Sequence, residues 1–243
     1  PFHLPPAQVA SQLATGRLDI GLIPSIEVQR IPGLSLLPGL CIAATHEVRS
    51  VLLVSRVAPG QIRRLALDEN SRTSVTLAKI VLRHRYGAEP ECVSQPPRVG
   101  EMMRQADAAL VIGDPALRAS VAGFLVLDLA AEWRRLTGLP FVFAVWAVRQ
   151  GIASDGLVPF FRQSLQQGLD NLDRLIAEAV DQIELDPDEL REYLTVNLSF
   201  HLGDDELAGL REFYRLAVEM GLLSEALPLR FLDACPSPGD SVE

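Results

Sequence analysis

Residues 66–80, ALDENSRTSVTLAKI, place three hydroxyls, Ser71, Thr73 and Ser74, and one cation, Arg72, where an apolar run gives way to helical spacing. A helix start offers unpaired backbone N–H groups and a partial positive charge, so hydroxyls gathered there suit a carboxylate or a phosphate. The competing reading is ordinary capping, in which one hydroxyl satisfies the first turn and the others are incidental. Three hydroxyls and an arginine exceed what a cap needs, yet a strand, a cap and a helix in succession are common.

Three further residues are candidates. Asp114, in VIGDPAL, follows an apolar run and faces either a cleft or the start of a helix with Pro115 at its first position. Ser25 follows Pro24 at the end of a short apolar run and reads as a cleft residue or a turn serine. Ser50 lies near the start of an apolar strand. Trp133, Phe141, Phe143 and Trp146 read as core or lobe-interface residues rather than ligand stackers.

Other chemistries lack their signatures. No GxGxxG follows the first strand, and neither GxxxxGK[ST] nor GxSxG occurs. Cys41, Cys92 and Cys235 form no CxxC pair, which suits a reducing compartment. His3, His46, His84 and His201 are scattered without HExxH spacing, which argues against zinc. With no conspicuous His/Glu pairing, a reaction here would depend on orientation and anion clamping more than on a charged protein base.

The elements that would position these residues alternate in type. Residues 6–16 read as a helix opened by Pro5-Pro6 and stopped by Gly16, and 18–24 as a short strand. Residues 34–43, 48–56, 62–67, 108–112 and 141–148 read as strands, 75–85 and 130–136 as helices, and 125–129 as a brief apolar segment. After Gly151 the pattern is helical: apolar intervals over 154–183, Asp186-Pro187 opening a helix to about 198, and a helix over 204–220 closed by Gly221. The tail from Pro236 is expected to fray.

The apolar strands 48–56 and 141–148 bracket a compact α/β middle. This predicts two lobes, 1–50 with 149–243 and 51–148, joined by two crossovers around a cleft at strand ends. The 243 residues carry a net charge of −9, against a general nucleic-acid binder, and the apolar runs are too short to span a membrane. The charge is unevenly spread: residues 1–150 are net +4 and residues 151–243 net −13. The acidity therefore reads as solvated helix faces, and the first part is free to take an anion. Lys79 is the only lysine, which reads as coding bias.

At LDIGLIPSIEVQRIPGL (18–34), VRSVLLVSR (48–56), ALDENSRTSVTLAKI (66–80), AALVIGDPAL (108–117) and DLAAEWRRLTGLPFVFAVWAVR (128–149) the chain resembles the chorismate dehydratase family of the futalosine route to menaquinone. Tyr193-Leu194 and GLREFY at 209–214 fit the same pattern. The resemblance implies the α/β, two-lobed type II periplasmic-binding-protein fold, used as a cytoplasmic enzyme without metal or organic cofactor. The implied substrate is a small dicarboxylate, chorismate, which loses water to give 3-[(1-carboxyvinyl)oxy]benzoate, its own enolpyruvyl carboxylate serving as base. Substrate binding is expected from Ser25, Ser50, Ser71, Arg72, Thr73, Ser74 and Asp114. The family also has an opening strand and loop carrying an asparagine important for the reaction. Nothing in this stretch aligns with it, so the first strand is expected to be missing and the catalytic residues are left unassigned. Two alternatives remain: a sister enzyme making 1,4-dihydroxy-6-naphthoate, which would need a cleft histidine, and a non-catalytic carboxylate or oxyanion binder.

Overall fold

A computed structural model describes residues 4–232 except 69–70, 97 and 153–155, with the backbone alone at 181–182. His3, Cys235 and the tail expected to fray lie outside the described residues. In chain order the elements are α1 (Pro6–Ala14), β1 (Ile20–Pro24), β2 (Leu34–Ala44), β3 (Val51–Ser55), β4 (Arg64–Asp68), α2 (Thr73–Tyr86), β5 (Glu91–Gln95), α3 (Val99–Gln105), β6 (Ala108–Ile112), α4 (Asp114–Leu117), β7 (Leu125–Asp128), α5 (Leu129–Thr137), β8 (Phe141–Arg149), α6 (Leu157–Asp170), α7 (Leu172–Ile183), α8 (Pro187–Glu192) and α9 (Asp204–Glu219).

The strands form two sheets. One has the order β1-β8-β2 with antiparallel pairing; the other runs β5-β4-β6-β3-β7 and is parallel only where β4 meets β5 and β6. The chain crosses between sheets after β2 and again between β7 and β8. All of β8 but Arg149 lies in the segment read as the second lobe, 51–148, and β8 is the central strand of the first sheet. An apolar run such as FVFAVWAV says that a strand is buried on both faces but not which sheet buries it.

Other differences have local causes. Residues 48–50 form a tight turn ahead of β3, not strand: the Ser50 N–H donates to the Val48 carbonyl at 2.7 Å. The helical run 154–183 breaks at Asn171, whose side-chain amide donates to the Gln167 carbonyl at 2.7 Å and competes with the helix ladder. The helix expected over 186–198 is α8 followed by one π turn, Tyr193–Asn197. β5 and α3 carry too little apolar periodicity to be recognised: Glu91–Gln95 is a half-exposed edge strand.

Several elements are fixed by identifiable groups. Asp128 caps α5 by accepting from Ala130 and Ala131 N–H at 3.0 and 3.1 Å, and Asp186 caps α8 through Asp188 N–H at 2.9 Å. α9 packs so closely on the loop before β8 that a Cβ at Gly209 would sit 2.1 Å from the Pro140 carbonyl oxygen. This brings Tyr214 beneath β1, where its hydroxyl donates to the Ser25 carbonyl at 2.6 Å. Trp133, Phe141 and Phe213 form an edge-to-face cluster in the core, with Trp133 Nε1 donating to the Pro140 carbonyl.

Candidate functional site

A cavity of about 180 Å³ lies between the sheets. Pro24, Ile42, Phe143 and Ala144 line it from the first sheet. Ser50, Val51, Ile112, Gly113 and residues 71–74 line it from the second, and Tyr193 and Leu198 from the C-terminal helices. Four larger hollows, of about 580, 470, 400 and 330 Å³, contain none of the candidate residues.

β4 ends at Asp68 and α2 begins at Thr73, so the SRTS segment is the connection whose direction the two elements dictate. The first intrahelical bond here runs from Thr76 N–H to the Arg72 carbonyl, which leaves the Thr73, Ser74 and Val75 N–H groups at the free end of the helix. Among the described residues no side chain caps α2. The capping interpretation of these hydroxyls therefore does not hold. Ser71 is 8% exposed, and its buried Oγ has no hydrogen-bond partner among the described residues. A buried hydroxyl without a partner costs free energy on the order of 1–3 kcal/mol, which a bound acceptor would recover.

The other hydroxyls have different roles. Thr73 Oγ1 accepts from Ile26 N–H at 3.2 Å and lies 3.4 Å from Ser25 Oγ, so it ties α2 to the turn after β1. Ser25 itself is fully buried behind the cavity, its hydroxyl donating to the Val142 carbonyl at 2.8 Å. The structure therefore gives Ser25 a scaffold role, where a cleft-lining one was expected. Arg72 borders the cavity, but its guanidinium donates to Glu27 Oε2 at 2.6 Å and Ser11 Oγ at 2.9 Å. Asp114 is exposed just beyond the lining, at the first position of α4. Gly113 precedes it with φ +64°, a conformation that glycine adopts without strain.

Ser50 does line the cavity and accepts a hydrogen bond from Tyr193 at 2.9 Å. Burial, with Asp114 nearby, pushes the Tyr193 phenol up from its ordinary value against the opposing effect of Ser50. It is therefore a neutral donor at physiological pH. The Ser50 backbone is also paired, N–H to Val48 and carbonyl to Gly113 N–H at 2.8 Å. Asp128 Oδ2 clamps the turn from beneath, accepting from Val48 N–H at 2.9 Å and Arg49 N–H at 2.6 Å.

Tyr193, Gly113 and Ile42 are lining residues that the residue patterns did not single out. Tyr193 had a signal only in its match to the family pattern. Phe143 was read as core or lobe interface. Among the described residues no histidine lines the cavity, and no cluster of three or more His, Cys, Asp or Glu could hold a metal.

Two sheets flanking a hydroxyl-lined cavity at the ends of β4 and β6 make this a mixed α/β protein of the periplasmic-binding-protein-like fold. Solved structures agree. Protein AF1704 from Archaeoglobus fulgidus has a TM-score of 0.69 at 16% identity, covering 90% of this chain and 85% of that one. The periplasmic aliphatic sulphonate binding protein SsuA from Escherichia coli has a TM-score of 0.63 at 16% identity, covering 100% and 84%. At the level of family, residues 2–219 match the family described as menaquinone biosynthesis. A chorismate dehydratase from Thermus thermophilus is 32% identical over 232 residues, 87% of this chain and 84% of that protein. One from Campylobacter jejuni is 30% identical over 140 residues, 57% of this chain and 49% of that protein. The chain belongs to the menaquinone biosynthesis family, in which it resembles the chorismate dehydratases.

Proposed function

We propose that this chain is a chorismate dehydratase, a cytoplasmic carbon–oxygen lyase. Chorismate would lose a ring proton and the C4 hydroxyl as water and leave 3-[(1-carboxyvinyl)oxy]benzoate. The two lobes that close on the substrate are those built on the two sheets.

The observation that carries the reading is the buried, unpartnered Ser71 hydroxyl at the open start of α2. An anion there receives the Ser71 O–H and the free N–H groups of the first turn. The lining hydroxyls add neutral donors, and Arg72, the one charged lining residue among the described residues, is already engaged by Glu27. Hydroxyl and N–H donors lower a carboxylate's pKa, but an added pairing with an arginine would lower it further, so a substrate carboxylate held without an ion pair retains more of its basicity. This favours a mechanism in which the enolpyruvyl carboxylate takes the ring proton and the chain supplies orientation. Aromatisation drives the step.

The test is incubation of the protein with chorismate while following the aromatic product by chromatography. Product formed at a rate proportional to enzyme supports the reading. Binding of chorismate without turnover would reduce the chain to a carboxylate-binding protein.

A further inference from the structure

We propose that Tyr193 is a positioning residue: its hydroxyl holds Ser50 so that the Ser50 proton is directed at a carboxylate of the bound ligand. The inference rests on the dicarboxylate reading of the same cavity and adds a residue that this reading does not assign.

A serine hydroxyl has one proton to give and two lone pairs to receive with. Tyr193 donates to Ser50 Oγ at 2.9 Å and so occupies one lone pair. The Ser50 backbone is bonded on both sides, to the Val48 carbonyl and to Gly113 N–H. Among the described residues the Ser50 side-chain proton has no acceptor, and Ser50 faces the cavity. The missing acceptor is supplied by an anionic ligand. Both hydroxyls then form a chain from tyrosine to serine to carboxylate, in which each bond polarises the next.

The backbone around Tyr193 is built for this placement. The π turn 193–197 is closed by Leu198 N–H donating to the Tyr193 carbonyl at 3.0 Å, five residues apart, and brings Tyr193 and Leu198 to the same cavity. Isolated π turns recur at functional sites. A second bond joins the turn to the crossover, Asn197 Nδ2 donating to the Glu47 carbonyl at 3.3 Å. The Asn197 bond anchors the turn to the crossover, and the Tyr193 bond is the one that holds the serine hydroxyl.

The experiment measures binding of 3-[(1-carboxyvinyl)oxy]benzoate by calorimetry to the full chain, Ser50→Ala, Tyr193→Phe and the double variant. Each single change should weaken binding about tenfold, and the double variant should be no weaker than Ser50→Ala alone, since tyrosine acts through serine. Tyr193→Phe keeps the ring and its packing, so its urea midpoint serves as the check on folding. Unchanged affinity in Tyr193→Phe, a multiplicative loss near a hundredfold in the double variant, or no binding by the unaltered chain overturns the inference. Chorismate conversion is assayed separately. Binding with the expected coupling but without conversion supports the Tyr193–Ser50 relay and overturns only the dehydratase reading.

Discussion

Arg72 turns its guanidinium away from the cavity it borders and donates to Glu27 Oε2 at 2.6 Å, while Arg30 binds the other carboxylate oxygen at 2.9 Å. The Glu27 side chain is only 6% exposed, and these two partners engage both of its oxygens. The pair fastens the start of α2 to the turn after β1. It also leaves neutral hydroxyls and helix N–H groups as the donors available to a ligand.

Removing either member should therefore act on stability first. Glu27→Gln and Arg72→Gln are each expected to cost about 1–3 kcal/mol, below the full penalty for a buried pair because Arg72 is one-third exposed. The double variant should cost less than the two added together, by about 1–2 kcal/mol. Urea unfolding of the four proteins measures this, and strict additivity would show that the two charges are not coupled.

Ser71→Ala should separate binding from stability in the opposite direction. The hydroxyl is buried without a partner, so its loss removes an unpaid desolvation cost. The ligand-free variant is expected to be as stable as the unaltered chain, or up to about 1 kcal/mol more stable. Affinity for the aromatic product should fall about tenfold or more. A drop in stability comparable to the loss of affinity would instead make Ser71 a structural hydroxyl.

The contrast between Ser71 and Ser25 shows what was legible in the sequence. Both follow strand ends and both read as cleft residues, but one reaches the cavity and the other faces the Val142 carbonyl behind it. Residue type and local element cannot separate them, because the difference lies in which strand of the other segment packs alongside. The partner of Arg72 was not legible for the same reason: Glu27 is forty-five positions away. β6 emerged at its predicted bounds because a buried apolar strand announces itself, and the strand–hydroxyl–helix unit at 66–80 was visible because it is contiguous. Sheet membership of β8 and the π turn that delivers Tyr193 are long-range outcomes with no local signature.

Asp128 joins the second crossover to the first, since one oxygen caps α5 and the other accepts from Val48 and Arg49. Asp128→Ala is expected to cost about 2–4 kcal/mol, combining a lost cap with two orphaned N–H groups. Burial outweighs the four N–H donors and raises the Asp128 pKa. The folded chain therefore binds this proton more readily than the unfolded chain does. The stability difference between the unaltered chain and Asp128→Ala should be largest below the ordinary aspartate range and narrow as pH rises through the folded value. Denaturant unfolding of both proteins from acid to neutral pH checks the sign, and a difference that widens with pH would refute it.

Arg49, at the centre of this clamped turn, has φ +61°, a left-handed conformation that costs an L residue about 1–2 kcal/mol. Its ion pairs to Glu189 and Glu192, at 3.5 and 3.9 Å, are partly exposed and together contribute at most about 1 kcal/mol. Arg49→Gly should relieve the strain while loosening the unfolded chain and losing those pairs, for a net change within about 1 kcal/mol of zero. Arg49→Val, whose branched Cβ resists positive φ, should cost about 2 kcal/mol or more. Because the next residue is Ser50, both variants should also raise the KM for chorismate, the valine variant more. Equal unfolding midpoints for the two would show that the turn relaxes freely, and Ser50 would then owe its placement to Tyr193 and Gly113 alone.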